Sequence, residues 1–351
     1  MKTKIVCYST GSLGDTLLIV PAIKYIRTIK PDAEITLLSD FQGSGNYLLP
    51  ETILKDTGLI DKYLTYQCNL SSLKQILEYI KLFYKIFLRF DELYYFQEVW
   101  IGSKRILRDK LFFKLSGIKN IYGLQNLSEK PKIFIKTISR AEEILIRLGF
   151  SYKNSQKWVH ENININKQDF SSNLLINNID FKKTYVLSPF SNMPSKNWPL
   201  DRYIEIAKFI YLKYKLIPVL VGPERDLIKT NQLINILGFG KNLCGSLNFT
   251  DVKYVINKSI FYIGNDSGLM HLANALRIPT LNIFSARDFW GRWEPVGDKN
   301  VNLRYDLECS CCHKYECNIN NLCLTNISTL NVKDALVNFL DQYLDISSRI
   351  T

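Results

Sequence analysis

Four short stretches of this 351-residue chain carry residue types suited to chemistry on a phosphorylated ligand. The richest is Gly264-Asn265-Asp266-Ser267-Gly268-Leu269-Met270-His271-Leu272-Ala273. It lies between an apolar strand-like run, Ile260–Ile263, and a helix-like run, Leu269–Leu276. A strand-to-helix turn of this composition aims free backbone N–H groups and the positive end of a helix at an anion. That suits nucleotide phosphates and leaves polar side chains for sugar hydroxyls. Asp266 either caps the helix or binds a donor hydroxyl. Ser267 and His271 share one helix face as a nucleophile pair would, but no G-x-S-x-G elbow and no third member accompany them. His271 therefore reads as a phosphate or hydroxyl donor, or as a histidine satisfied within its helix.

The other three stretches also follow apolar runs. Ser9-Thr10-Gly11-Ser12-Leu13-Gly14-Asp15 has the spacing G-x-x-G, unlike the dinucleotide fingerprint G-x-G-x-x-G, and no Walker lysine follows. A dehydrogenase and a P-loop NTPase are thus disfavoured. The glycines let another molecule approach the backbone closely. Asp15 is either a general base or the N-cap of the next helix. With Leu18 three residues on, a capping box starting at Asp15 is incomplete. A helix N-terminus stabilises a carboxylate and weakens it as a base, so burial would have to offset that. In Ser188-Pro189-Phe190-Ser191-Asn192-Met193-Pro194-Ser195-Lys196-Asn197-Trp198-Pro199, two hydroxyls, Ser188 and Ser191, and Lys196 suit a diphosphate. The lysine would neutralise charge on a leaving group; the alternative is a solvated surface lysine. In Val221-Gly222-Pro223-Glu224-Arg225-Asp226, Glu224 suits a ribose hydroxyl pair or simply an acidic first turn.

The elements that must position these residues alternate strand and helix. Strand-like runs are Lys4–Ser9, Glu34–Ser39, Lys62–Tyr66, Glu92–Phe96 and Asn120–Tyr122. Helix-like runs between and after them are Thr16–Ile29, Leu70–Phe90, Ser103–Leu115 and Ile138–Leu148. Residues Ser151–Lys183 are polar and rich in Asn and Lys, which marks a linker. The alternation then restarts at Thr184–Ser188 and continues to a terminal helix, Val332–Leu344. Such alternation specifies parallel sheets with helices on both faces. The expected class is α/β, with two doubly wound domains around a cleft and ligands beyond the carboxyl ends of the strands. Domain bounds are expected at 1–165 and 180–330, with 331–351 a terminal helix that packs back on the first domain.

Composition narrows the partners. A hydrophobic content of 46% and a charged content of 22% are those of a globular protein. No run approaches a membrane span, and the N-terminus enters a strand without the features of a signal peptide, which points to the cytoplasm. The net charge of +12 suits an anionic partner such as a nucleotide diphosphate, phosphorylated glycan or membrane face; lysine-rich compositional drift explains it equally. Neither an RNA-binding motif nor zinc-finger spacing is present, so nucleic acid is not an expected partner.

Taken together, the four stretches resemble the heptosyltransferase family of glycosyltransferases: Gly11-Ser12-Leu13-Gly14-Asp15 with Pro21 after it, Ser188 through Lys196-Asn197-Trp198-Pro199, Gly222-Pro223-Glu224, and Asp266 through Ala273. The resemblance implies a GT-B architecture, two Rossmann-like domains facing a central cleft, the acceptor in the first and the nucleotide sugar in the second. It implies inverting, metal-independent transfer of heptose from ADP-heptose to a lipopolysaccharide core or related glycan acceptor, anionic or lipid-linked, with peripheral contact to the inner membrane. Asp15 would be the base, and Lys196 would act on the departing diphosphate. The donor would be held by Gly14, Ser188, Ser191, Lys196, Glu224, Asp266, Ser267, Gly268 and His271. Transfer of another nucleotide-activated sugar, heptosylation of a protein adhesin, and non-catalytic nucleotide-sugar binding are the alternatives.

A cysteine window, Cys309-Ser310-Cys311-Cys312-His313-Lys314-Tyr315-Glu316-Cys317 and then Cys323, sits where family members often carry cysteines. One branch, which glycosylates autotransporter adhesins, uses such a cluster to hold iron. The C-x-C-C-x4-C-x5-C spacing matches no common zinc signature. A reduced structural loop is expected, with a metal held by Cys309, Cys312, Cys317 and Cys323 as the alternative. Aromatics between Tyr79 and Phe113 read mostly as core, with Lys104, Arg105 and Arg108 near an acceptor cleft or a membrane leaflet as the other reading.

Overall fold

The structure is a computed structural model that describes residues 2–41, 43, 47–97, 103–124, 136–166 and 170–343. The chain divides into two compact units. The first contains strands β1 (Lys4–Tyr8), β2 (Glu34–Phe41), β3 (Lys62–Gln67), β4 (Glu92–Tyr95) and β5 (Asn120–Tyr122). Its helices are α1 (Leu13–Leu18), α2 (Val20–Ile29), α3 (Pro50–Leu54), α4 (Ser72–Ile86), α5 (Ser103–Leu115), α6 (Arg140–Arg147) and α7 (Tyr152–Asn162). The sheet is parallel, in the order β3-β2-β1-β4-β5. The order reverses at β1, so the switch point of this unit falls where Gly11–Asp15 leaves the sheet.

The second unit contains strands β6 (Thr184–Ser188), β7 (Ile217–Leu220), β8 (Lys241–Asn242), β9 (Tyr262–Asn265), β10 (Thr280–Phe284) and β11 (Asn300–Arg304). Its helices are α8 (Leu200–Tyr214), α9 (Leu227–Leu237), α10 (Phe249–Lys258), α11 (Gly268–Ala275), α12 (Leu322–Thr325) and α13 (Thr329–Tyr343). This sheet is also parallel, in the order β11-β10-β9-β6-β7-β8, with its switch point between β6 and β9. The central strands are buried throughout, as sheets covered on both faces require. Gly264 is a close-approach glycine. It pairs with Ser188, and a Cβ on it would fall 2.5 Å from the Ser188 carbonyl oxygen.

Three organisational expectations change. The polar stretch Ser151–Lys183 is not one linker, because it holds α7. Trp158 of that helix donates its indole N–H to the Pro21 carbonyl at 2.9 Å, and Tyr25 packs edge-on against Phe150 and Trp158. The boundary also moves. Residues 140–163 belong to the first unit and 164 onward to the second, while residues 136–139 already belong to the second. There Thr137 N–H donates to the Trp290 carbonyl at 2.7 Å. Finally, α13 belongs to the second unit rather than the first. Val332, Leu336, Phe339 and Leu340 enter the second unit's core, where Phe339 packs on Phe261. Residues 344–351 of that expected helix lie outside the described residues.

Candidate functional site

In the first unit, the turn after β1 is built around Gly11. Its φ of +116° lies in the region that favours glycine, and a Cβ there would fall 2.3 Å from Asp15 Cγ. This turn starts the helix at Ser12, which is the N-cap, and sets Asp15 three residues inside. The Asp15 side chain reaches back and accepts the Ser12 N–H at 3.1 Å, half of a capping box. Asp15 is therefore not the N-cap weighed from sequence. Its carboxylate is fixed at the mouth of the strand, partly exposed. Gly14 is buried in the first turn of α1.

Two residues that sequence reasoning passed over hold this turn. Asp40, buried at the end of β2, accepts the Gly11 N–H at 3.0 Å. Tyr47 places its hydroxyl 2.7 Å from Asp40 Oδ1 and 2.5 Å from the Gly11 carbonyl oxygen. Burial, then Asp40, then Asp15 push the Tyr47 hydroxyl far above its usual range, so it remains a donor. Thr10 donates to Gln97 at 2.8 Å on the other side.

In the second unit, the loops after β6, β9 and β10 converge. Lys196, on a single 3-10 turn, lies 2.6 Å from Asp266 and 3.9 Å from Asp288. Asp266 is the residue before Ser267, which is the N-cap of α11, so it is not itself the cap. Ser267 shares a hydrogen bond with the Tyr262 hydroxyl at 3.3 Å. Gly268 opens the helix, and His271 follows one turn on, buried. Burial drives the His271 imidazole down to about 4, with Asp266 opposing and Lys196 assisting, so it is neutral at pH 7. A neutral imidazole still donates one N–H, which fits a supporting donor and not a cation.

Asp288 was not singled out from sequence, although it follows a strand as the other site residues do. Burial raises its carboxyl, but the His313 contact at 3.1 Å, Lys196 and Arg287 outweigh that and hold it at about 2. Asn265, at the end of β9, ties the loops together. Its amide oxygen accepts from Trp198 N–H at 3.2 Å and from the Tyr203 hydroxyl at 2.8 Å, and its amide nitrogen donates to the Pro189 carbonyl at 2.6 Å. The Ser191 hydroxyl donates to the Met193 carbonyl at 2.9 Å, and Ser188 is buried against Tyr262. Both hydroxyls thus shape the loop. Glu224 stands exposed on a 3-10 turn after β7, and its neighbour Arg225 hydrogen-bonds Asn192 of the β6 loop. The structure thus gathers Lys196, Asp266, Ser267, Gly268 and His271 at one switch point, with Glu224 on the adjoining strand end.

The cysteines of the late window are all free thiols. The Cys323 thiol accepts the Ala286 N–H at 3.4 Å and is pushed up by burial first and then by Cys317, Cys309 and Cys312 nearby. Among the described residues no group of three or more His, Cys, Asp or Glu side chains is arranged to hold a metal ion.

Two parallel, doubly wound units, each with its polar residues at the strand ends of its switch point, place the chain in the GT-B class of α/β folds. The chain belongs to glycosyltransferase family 9 (heptosyltransferase), which residues 137–323, more than half of its length, match. Lipopolysaccharide heptosyltransferase 2 of Escherichia coli K12 is 33% identical over 104 residues, covering 27% of this chain. The aligned part spans 29% of that relative's length. A family 9 glycosyl transferase from Veillonella parvula superimposes with a TM-score of 0.70 at 17% identity, over 96% of this chain and 97% of the other. The E. coli ADP-heptose lps heptosyltransferase II gives 0.65 at 18% identity, over 97% and 99%. At these identities the two structures establish the fold. No helix among the described residues is long and apolar enough to cross a membrane.

Proposed function

We propose that this protein is an inverting glycosyltransferase that moves a heptose from ADP-heptose to a lipopolysaccharide core or related glycan acceptor at the cytoplasmic face of the inner membrane. The observation that carries the reading is the Lys196–Asp266 pair, 2.6 Å apart and set against the N-terminal end of α11 at a switch point. That arrangement offers N–H groups and a cation to a diphosphate and a carboxylate to sugar hydroxyls. The donor is assigned from the family and from the E. coli relative whose name carries ADP-heptose.

In this mechanism Asp15 takes the proton of the acceptor hydroxyl. The hydroxyl oxygen forms a bond to the anomeric carbon as the bond from that carbon to the diphosphate oxygen breaks on the opposite face, which inverts the centre. Lys196 and the backbone N–H groups at Ser267 and Gly268 stabilise the charge arriving on ADP, and no divalent metal is required. Ser188 and Ser191 shape the diphosphate loop, Glu224 holds the ribose, and His271 supports as a neutral donor. A thermal-shift series tests the donor: ADP raises the melting midpoint and UDP and GDP do not. Asp15→Ala lowers turnover by about a hundredfold or more with that shift intact, as loss of a general base requires. Near-native turnover of this variant refutes the base.

A further inference from the structure

Helix α4 is apolar on two sides. Its inner side sends Leu82 and Ile86 into the core of the first unit, which Phe113 of α5 also enters. The two helices therefore cover the same face of the sheet, and Phe112 of α5 packs edge-on against Tyr79 and Phe83 of α4. The outer side of α4 carries Leu73, Ile76, Leu77, Ile80 and Tyr84 at the spacing of one helical face, with exposures from 46% at Ile80 to 78% at Leu73. Helix α5 repeats the pattern with Leu107, Leu111 and Leu115, every fourth residue, each more than half exposed. A helix facing water normally turns polar residues outward, and contiguous apolar stripes of this kind mark a surface that something covers.

The charge pattern decides what covers it. The two helices carry eight lysines and arginines against two acids. Both acids are already paired, Glu78 with Lys81 at 2.8 Å and Asp109 with Arg108 at 2.6 Å. Lys74, Lys85, Lys104, Lys110 and Lys114 are exposed around the leucine stripes. A second copy of this chain would bring the same cations to the same face. An anionic bilayer supplies both an apolar layer for the leucines and phosphates for the lysines.

We infer that the outer face of α4 and α5 docks this protein on an anionic lipid surface. The leucine and isoleucine side chains enter the boundary between headgroups and acyl chains, and the lysines lie at the phosphates. The inference rests on the proposed transfer only for its consequence, that a lipid-linked acceptor is met at the membrane.

The test is co-sedimentation of the full chain with vesicles of phosphatidylcholine alone and of phosphatidylcholine with phosphatidylglycerol, without donor or acceptor. Binding is expected to the anionic vesicles and to weaken with salt, because screening shortens the reach of the lysines. Each lysine near the surface contributes about fivefold, so Lys110→Glu with Lys114→Glu weakens binding by about twentyfold or more. Leu77→Asn with Leu111→Asn weakens it by a similar factor, and both pairs keep the helical circular dichroism and the ADP-induced thermal shift because all four side chains are exposed. The inference is overturned if the native chain binds neither vesicle, if it binds both equally, or if the variants bind like the native chain. It is also overturned if sedimentation velocity shows a dimer that the leucine substitutions abolish. A failure here leaves the transfer reading standing, and a failed transfer assay leaves vesicle binding untouched.

Discussion

Gly11→Ala is the most direct probe of how Asp15, the proposed base, is held. The backbone at φ +116° resists any side chain, at a cost of about 1–3 kcal/mol. The new methyl would fall 2.3 Å from Asp15 Cγ and 2.4 Å from Oδ2, so the carboxylate has to leave. Leaving forfeits the Ser12 N–H bond, up to about 1.5–3 kcal/mol for a charged acceptor, less because a partly exposed carboxylate regains water. Together these predict a loss of about 2–4 kcal/mol in the first unit, or about 5–15 °C in its melting transition. Turnover is expected to fall about a hundredfold, the scale of a lost general base. Donor affinity is expected to change little, because every proposed donor residue except Gly14 belongs to the second unit. Calorimetry reads the first transition, and initial rates with ADP binding read the second effect. Repeating Gly11→Ala in an Asp15→Gly background removes the collision, including the Asp15 Cβ at 2.7 Å, and leaves the backbone cost, so the penalty shrinks. An equal penalty in both backgrounds refutes the collision, and native turnover of Gly11→Ala refutes the claim that this glycine places the base.

Two further outcomes follow from the second unit. The His271 imidazole titrates near 4 in the folded chain and near 6.5 when unfolded, so the unfolded state binds the proton first. Stability present above pH 6.5 is then lost as pH falls toward 4, by about 3 kcal/mol, and chemical denaturation across that range should show a slope that His271→Phe removes. An unaltered slope in the variant would sink the assignment. Asn265→Ala strips one buried side chain from Trp198 N–H, the Tyr203 hydroxyl and the Pro189 carbonyl together, with an expected cost of about 3 kcal/mol; a loss below about 1 kcal/mol would mean that the loops hold without it.

What the sequence disclosed depended on how local the cause was. The central strands were legible because strands buried on both faces are apolar runs, and the site loops because they follow those runs. Helix α7 was not, since its Asn- and Lys-rich surface hides an inner side on which only Ser155 and Val159 are fully buried. Strand β11 was missed for a related reason: every residue of Asn300–Arg304 is half-buried at the edge of the sheet, so no apolar run marks it. Asp40 and Asn265 carry their roles through partners many residues away, which no spacing reveals. The N-cap alternative weighed for Asp15 fell for a conformational reason. The positive φ of Gly11 lets the helix begin at Ser12, and a glycine's backbone angle is not written in its identity.

The charge balance around Lys196 bears on what that lysine does. Two carboxylates flank it, Asp266 at 2.6 Å and Asp288 at 3.9 Å, and Asp288 is held ionised well below neutral pH. Arg287 reaches the same Asp288 oxygen, Oδ2, at 2.5 Å, and His313 reaches Oδ1 at 3.1 Å. Lys196 and Arg287 together therefore cancel two acids before they can attract a third anion. In the proposed reading, a diphosphate placed here would draw its net attraction less from the lysine's bare charge than from the N–H groups that open α11. The lysine's first task would then be to neutralise Asp266, which would otherwise repel the phosphates from the helix end. Its second would be to fix that carboxylate in one orientation, which a residue proposed to read sugar hydroxyls needs. On this account Lys196 and Asp266 act as one unit, a cation that makes an acid tolerable beside a pyrophosphate.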